Sequence, residues 1–506
     1  MFKGHPRGLI PAALANMGER FGFYTMMAIL VLFLQAKFGL DGTNAGIIYA
    51  IFYFSIYILA LIGGIIADKI QNYKGTILTG LILMSLGYAI LAIPTPTPVS
   101  SVPLFLTISL IGLFVIAFGN GLFKGNLQAL VGQMYDNEKY GKLRDSGFSL
   151  FYMFINVGAI FAPLVAVGVR SWWLEKNHYT YNVDLPALCH SFIGGSISEK
   201  ALISMQTMAD KVSGKTVTDL MAFSNDYLNV FNTGFHYAFG TAIIAMMISL
   251  SVFIYNKKNF PSPKKKAVAG EITDEIKMEA HEVKQRMYAL LAVFGVVIFF
   301  WFSFHQNGLT LTFFARDYTI LKIFGWEFSA ELFQSMNPFF VVFLTPVVVG
   351  LFGWLRSKNM EPSTPKKIAI GMGIASSAFV VMVLGSFGLP MFSTIDPQTG
   401  GVPLDDVQRV TPYLLLGTYF ILTVAELFIS PMGISFVSKV APPQYQGLMQ
   451  GGWLGATALG NGLLFIGAIL YQSIPIWMTW SIFVVATTIS MLTIMFMIKW
   501  LERVAK

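Results

Sequence analysis

Apolar positions along this chain come in long unbroken runs rather than in amphipathic stripes. Runs long enough to cross roughly 30 Å of hydrocarbon as helices occupy residues 10–36, 45–67, 76–94, 103–130, 148–169, 235–256, 288–314, 333–355, 368–390, 411–437, 447–472 and 475–498. The pattern predicts twelve transmembrane helices and an all-α integral membrane protein. Inside the first run the pattern is broken by the adjacent Glu19 and Arg20, with Asn16 one turn earlier. At helical spacing Asn16, Glu19, Arg20, Phe23, Tyr24 and Met27 share one face. Charges at mid-depth cost a few kcal/mol even on lenient insertion scales, so that face must look into protein or water.

Polar stretches between the runs set the organisation. The segment 257–286, containing Lys264, Lys265 and Lys266 and a helix-compatible acidic stretch, separates six runs from six. The expected units are an N-terminal six-helix bundle (1–256), a linker (257–286) and a C-terminal six-helix bundle (287–506). A second insertion, about 171–233, carries Trp172, Trp173, Cys189 and His190 and reads as an ordinary folded or semi-ordered loop without assignable chemistry. Gly63, Gly64 and Lys69 after the second run have a faint echo in Gly350, Gly353 and Arg356 after the eighth, as two repeated halves would.

Composition extends this picture. The chain is 55% hydrophobic and 12% charged, against about a quarter charged in soluble domains, and no hydrophilic part is left over for a soluble catalytic domain. Of the 34 Lys and Arg, 23 fall on the side of the termini and linker and 9, including Arg170 and Arg409, on the other. This bias predicts cytoplasmic termini in the cell membrane. It makes the +8 net charge a topology signal rather than a nucleic-acid footprint. The first run is too long for a cleavable signal, and no small-residue cleavage site follows it. A single cysteine, Cys189, supports neither disulfides nor a cysteine metal site. Neither a nucleotide-binding loop nor metal-spaced ligands are found, so no enzyme, metal or cofactor is expected.

Five further stretches carry a specific pattern. Gly121-Leu122-Phe123-Lys124-Gly125-Asn126 lies in the fourth run, and Arg144-Asp145-Ser146-Gly147 leads through Phe151-Tyr152 to Asn156-Val157-Gly158 in the fifth. Gln334-Ser335-Met336-Asn337-Pro338 and Glu426-Leu427-Phe428-Ile429-Ser430-Pro431 lie in the eighth and tenth, and Gly451-Gly452-Trp453 in the eleventh. These stretches resemble the signatures of the proton-dependent oligopeptide transporters of the major facilitator superfamily, over nearly the whole chain except the insertion. The resemblance implies the major facilitator fold and import of di- and tripeptides by alternating access, coupled to protons.

Elementary electrostatics agrees with a peptide. A dipeptide is a zwitterion, so a site at mid-depth needs a fixed cation and a fixed anion facing each other, and Lys124 and Glu426 are the natural pair. Asn156 and Asn337 add neutral hydrogen bonds, Arg20 a second cation, and Tyr24, Tyr57, Trp301 and Trp453 apolar walls for variable side chains. Asp68, Lys69, Arg144 and Asp145 are expected to gate the cytoplasmic rim, with Gly64 and Gly147 allowing close helix approach.

Three departures from the family pattern stand out. Asn16 replaces a glutamate, Met27 an arginine, and His305, in Trp301-Phe302-Ser303-Phe304-His305-Gln306-Asn307-Gly308, a glutamate. Glu19 and His305 remain as proton carriers beside Glu426. Transport of another amphiphilic solute, proton-independent peptide uniport and, further off, a transport-inactive receptor stay open. The expected assembly is a monomer in the bilayer.

Overall fold

In hydrocarbon no water satisfies backbone N–H and C=O groups, so each apolar run must close its hydrogen bonds within itself as a helix. In the computed structural model, which describes residues 4–70, 72–135, 138–140, 144–261, 280–323, 325–442 and 445–505, twelve helices are long and apolar enough to cross a membrane. They are span 1 (Leu9–Phe38), span 2 (Gly42–Ala67), span 3 (Tyr73–Ala92), span 4 (Val102–Gln133), span 5 (Leu150–Lys176), span 6 (Leu220–Tyr255), span 7 (His281–Tyr318), span 8 (Ala330–Ser357), span 9 (Thr364–Gly385), span 10 (Pro412–Val437), span 11 (Leu448–Ser473) and span 12 (Ile476–Val504).

Spans 1, 3, 4, 5 and 6 pack on one another with span 2 against span 4, and spans 7, 9, 10, 11 and 12 pack likewise with span 8 against span 10. The halves meet where span 2 lies along span 11 and span 5 along span 8. Small residues allow the tightest of these approaches: a Cβ on Gly80 would stand 2.6 Å from the Gly119 carbonyl oxygen. In span 2 it is Gly63 that abuts the Gly121 backbone, whereas Gly64, expected to serve close approach, faces open space. Large side chains such as Phe343, Leu384 and Phe496 remain exposed on the perimeter, as a lipid-facing surface requires.

The insertion differs from its expected bounds. Helical structure continues from span 5 to Lys176 and begins again at Leu220, fifteen residues before the apolar run. Between them lie two helices, Leu185–Ile193 and Glu199–Ser213. Apolar content marks the hydrocarbon depth, not the helix end, and both helices overshoot it. His190 Nε2 sits 2.7 Å from the Ala36 carbonyl at the end of span 1, seating the insertion on the N-terminal half. Of the linker, residues 262–279, including the helix-compatible stretch, lie outside the described residues.

Two spans are broken along their length, and a third opens irregularly. Span 7 is helical over Ala280–Phe304, turns through a 3-10 segment at His305–Gly308 and resumes at Thr310–Tyr318. Span 11 breaks between Gly462 and Leu464, and span 8 opens with a 3-10 turn at Ala330–Ser335 before its helix begins at Met336. Interrupted helices leave backbone and side-chain polar groups free at mid-depth, where transporters place their sites.

Candidate substrate site in the centre of the helix bundle

The charged face of span 1 looks into the bundle. Glu19 and Arg20 pair with each other, Arg20 Nε to Glu19 Oε2 at 2.6 Å and Arg20 Nη2 to Glu19 Oε1 at 2.6 Å. Asn120 of span 4 donates a third hydrogen bond to Glu19. The guanidinium also lies 4.7 Å from the Phe23 ring centroid. Three donors on one buried carboxylate compensate its desolvation as far as geometry allows. Asn16, one turn away, is buried with its side-chain amide nitrogen unpartnered.

Lys124 is different. It is half-buried, and its ammonium lies 4.1 Å from the Tyr57 ring centroid with no carboxylate in ion-pair distance among the described residues. Glu426, across the bundle on span 10, is also half-buried. It accepts a 2.8 Å hydrogen bond from Asn337 Nδ2, which also reaches Thr423 Oγ1 at 3.1 Å, and no described cation pairs with it. The expected Lys124–Glu426 pair is thus not closed: each charge stands on its own half. Tyr24 and Tyr57 lie within electrostatic reach of both Arg20 and Glu426, and so between the two halves. Tyr57 continues a ladder on span 2, with Tyr53 at a centroid distance of 5.8 Å and Tyr49 a further 5.9 Å on.

His305 occupies the break in span 7. Its Nδ1 is 2.5 Å from Asn461 Oδ1 at the break in span 11, and its ring stacks on Trp301 at 4.8 Å and packs on Tyr53 at 4.7 Å. With Nδ1 donating to the amide oxygen, Nε2 is left as the ring's proton-accepting nitrogen. Asn461 Nδ2 and Trp301 Nε1 are buried and unpartnered. Asn461 and Tyr53 are absent from the sequence-predicted set. The Gly460-Asn461-Gly462 interruption of an apolar run and the four-residue spacing of Tyr49, Tyr53 and Tyr57 were the signals available.

Other residues of the sequence motifs are drawn into packing. Asn156 Nδ2 returns to the Tyr152 carbonyl of its own helix at 3.2 Å, and Asn126 of the span 4 motif ties span 4 to span 2 through the Gly63 carbonyl at 3.1 Å. Trp453 is buried against Gly433, which leaves no room there for a Cβ. Among the expected gating residues, Lys69 is exposed, while the side chains of Asp68, Arg144 and Asp145 lie outside the described residues.

Most of the polar bonds that join described residues of the two halves lie at the end bearing the insertion, with Ser335 Oγ donating to the Ile160 carbonyl of span 5 at 3.2 Å deeper in the bundle. Arg170 of span 5 forms an ion pair with Glu331 at the start of span 8 and donates to Ser329 Oγ at 2.8 Å. Arg409 Nη2 meets Asp184 Oδ2 at 2.6 Å, Ser191 donates to the Pro397 carbonyl at 2.7 Å, and Gln398 donates to the Gly39 carbonyl at 3.1 Å. Arg316, paired with Asp317 at 2.5 Å, also reaches Gln35 of span 1. Burial holds the Asp184 carboxyl above its ordinary range, against the pull of Arg409. The molecule is closed at this end. Arg170, counted from sequence among the loop charges, is one of its most deeply buried side chains, because the helix of span 5 outlasts its apolar run.

Two six-helix units around unpaired charges of opposite sign, sealed at one end, define a multi-pass membrane protein of the secondary-transporter kind. The chain belongs to the POT family, whose family model matches residues 73–273 and 263–479. It is 29% identical to the peptide transporter YePEPT of Yersinia enterocolitica, over 91% of this chain and 87% of that one. It is 28% identical to the uncharacterized transporter YclF of Bacillus subtilis, over 94% and 90%. Dipeptide and tripeptide permease A of Klebsiella pneumoniae is 25% identical over 90% and 82%. The crystal structure of a peptide transporter POT in complex with sulfate superimposes with a TM-score of 0.74 at 23% identity, covering 100% of this chain and 96% of that one. A POT family transporter in complex with 5-aminolevulinic acid gives 0.73 at 20% identity, covering 100% and 98%. The last two comparisons establish the shared fold.

Proposed function

We propose that this protein imports di- and tripeptides across the cell membrane by alternating access, coupled to protons, with both termini cytoplasmic and the insertion outside. The observation that carries the reading is the pair of unpaired opposite charges, Lys124 and Glu426, on opposite halves with Tyr57 between them. A zwitterion bridging them satisfies both ions at once, and its own two charges supply what the protein lacks. The names of the relatives, peptide transporter and dipeptide and tripeptide permease, favour the same substrate class.

In this reading the carboxylate of the peptide meets Lys124, its ammonium meets Glu426 and Asn337, and Tyr24, Tyr57 and Trp301 line the side-chain pockets. Closure of the insertion end excludes the outward-open state. Arg20 keeps the site cationic on the N-terminal side. Of the two proton carriers, His305 is favoured over Glu19, because Glu19 would have to give up three donors to take a proton whereas His305 has Nε2 available. Lys69, with Asp68, Arg144 and Asp145, would form the cytoplasmic rim that closes in the opposite state.

The test is uptake of labelled dialanine into liposomes with and without an inward proton gradient, repeated with Lys124→Ala, Glu426→Gln, His305→Gln and Glu19→Gln. Gradient-driven accumulation that collapses with the first two variants is expected. Absence of uptake under any gradient would remove the peptide reading. Uptake indifferent to the gradient and to His305→Gln would leave a peptide uniporter.

A further inference from the structure

The insertion end carries a cleft that none of the steps above uses. It has a volume of about 960 Å3 and lies between the second insertion helix, Glu199–Ser213, and the loops of the C-terminal half at the same end. The helix lines it with one stripe at helical spacing, Lys200, Ile203, Ser204, Thr207, Met208 and Lys211. At 1.5 Å per residue that stripe is roughly 16 Å long. The C-terminal half lines it with the hairpin that pairs Lys322 with Glu327 and with the segment 402–409. Arg409 and Asp184, whose bond joins the halves, border the same cleft.

The two sides offer charges of opposite sign. Lys200 and Lys211 stand at the ends of the helical stripe, and Asp405 and Asp406 on the C-terminal half. All four are exposed, and no ion pair engages them among the described residues. Lys322 and Glu327, as cross-strand neighbours, offset each other. Ile203, Met208, Leu321 and Phe328 make part of the lining apolar, with Ile203 left 70% exposed. A complementary ligand is an elongated zwitterion with an apolar body.

We propose that this cleft binds an extended oligopeptide of about five residues, with its ammonium at Asp405 and Asp406 and its carboxylate at a lysine of the insertion helix, and that the bound peptide holds this end of the transporter closed. Five extended residues span roughly 16 Å, the length of the stripe. Each exposed ion contributes little alone, so binding needs both charged ends and the apolar lining together. Because the two sides belong to different halves, the cleft keeps this shape only while the halves meet here. Its ligand therefore binds the closed state and opposes opening by mass action.

The transport consequence rests on the peptide reading, whereas binding does not. The probe is the pentapeptide Ala-Ala-Phe-Ala-Ala, titrated calorimetrically into the purified whole chain. Binding should weaken about tenfold in Lys200→Glu/Lys211→Glu and in Asp405→Lys/Asp406→Lys, the order for reversing two exposed charge contacts. Acetylating and amidating the peptide should weaken it as much in the wild type. Lys124→Ala/Glu426→Gln, which removes the charges of the central site, should leave binding unchanged. In proteoliposomes, pentapeptide on both sides at ten times its dissociation constant should slow dialanine counterflow about tenfold. The two charge-reversed proteins should keep wild-type counterflow and resist the pentapeptide. A pentapeptide that does not bind, that binds the charge-reversed proteins as tightly as the wild type, that binds as well when capped, or that is lost with Lys124→Ala/Glu426→Gln overturns the site. Counterflow that the bound pentapeptide leaves unchanged overturns its hold on the closed end. Binding that meets all of these expectations in a protein without dialanine counterflow overturns the substrate reading and leaves the site standing.

Discussion

Two buried ion pairs in this protein look alike and do opposite things. Glu19–Arg20 joins adjacent residues of one helix and gains a third bond from Asn120 within the same half. Arg170–Glu331 joins residues 161 positions apart on opposite halves. When two rigid halves rock, the first pair travels intact and serves as a fixed feature of the site. The second must break. A buried pair inside a moving body is therefore structure, whereas one across the seam biases an equilibrium between states, because its desolvation and attraction exist in only one of them.

The largest effect that separates them is expected for Arg170→Ala, which strands Glu331. Such a lone buried charge costs about 3–5 kcal/mol, read as a lower thermal midpoint in detergent at pH 7, with most of the loss recovered in Arg170→Met/Glu331→Gln. If Arg170→Ala melts like the wild type, the seam pair is not formed in the membrane protein. Next come the substrate charges. Lys124→Ala and Glu426→Gln should each lower dialanine uptake about 10- to 100-fold, the range for losing a charged hydrogen bond of about 1.5–3 kcal/mol, while leaving the thermal midpoint near that of the wild type, since neither charge is paired in the substrate-free state. A smaller change is expected for Asn461→Leu, which releases His305 Nδ1. Gradient-driven accumulation should fall about fivefold, the equivalent of roughly 1 kcal/mol, with counterflow unchanged.

The smallest belongs to a surface pair at the other end. Hydrogen bonds from Arg356 and Lys367 hold the Glu361 carboxyl down to about 2, from an ordinary 4.5. A depressed acid contributes its stability fully above its unfolded value, and loses it as pH falls through about 2. Arg356 is 73% exposed, so water and salt screen most of the contribution. Glu361→Gln should therefore shift the thermal midpoint by at most a degree or two at pH 7, and by progressively less as pH falls from 4.5 toward 2. A larger shift would mean that this exposed pair, like the seam pair, is tied to a state of the transporter.

Much of the site was legible because membrane sequences advertise their exceptions. Glu19, Arg20, Lys124 and Glu426 are conspicuous inside apolar runs, and the structure keeps all of them inside the bundle. Arg170 and Glu331 sit just beyond the apolar stretches, where charges are common, and nothing local distinguishes them from rim residues. Asn461 was hidden for a related reason: an asparagine between glycines reads as a turn, and its contact with His305 depends on two helices breaking at the same depth. Asn156 and Trp453, expected in the site, were claimed by their own helix and by Gly433, a competition among neighbours that a one-dimensional pattern does not encode.

The sequence by itself determined the number of spans, their division into six and six, the side on which positive charge accumulates and the identity of the mid-depth ions, because hydrocarbon penalises each residue according to its own polarity. Only the tertiary structure decided which ions are paired and which are left waiting. That outcome depends on distances between helices far apart in the chain. Among the described residues it left Lys124 and Glu426 without counter-ions in the centre, and brought Arg170 onto Glu331 at the seam.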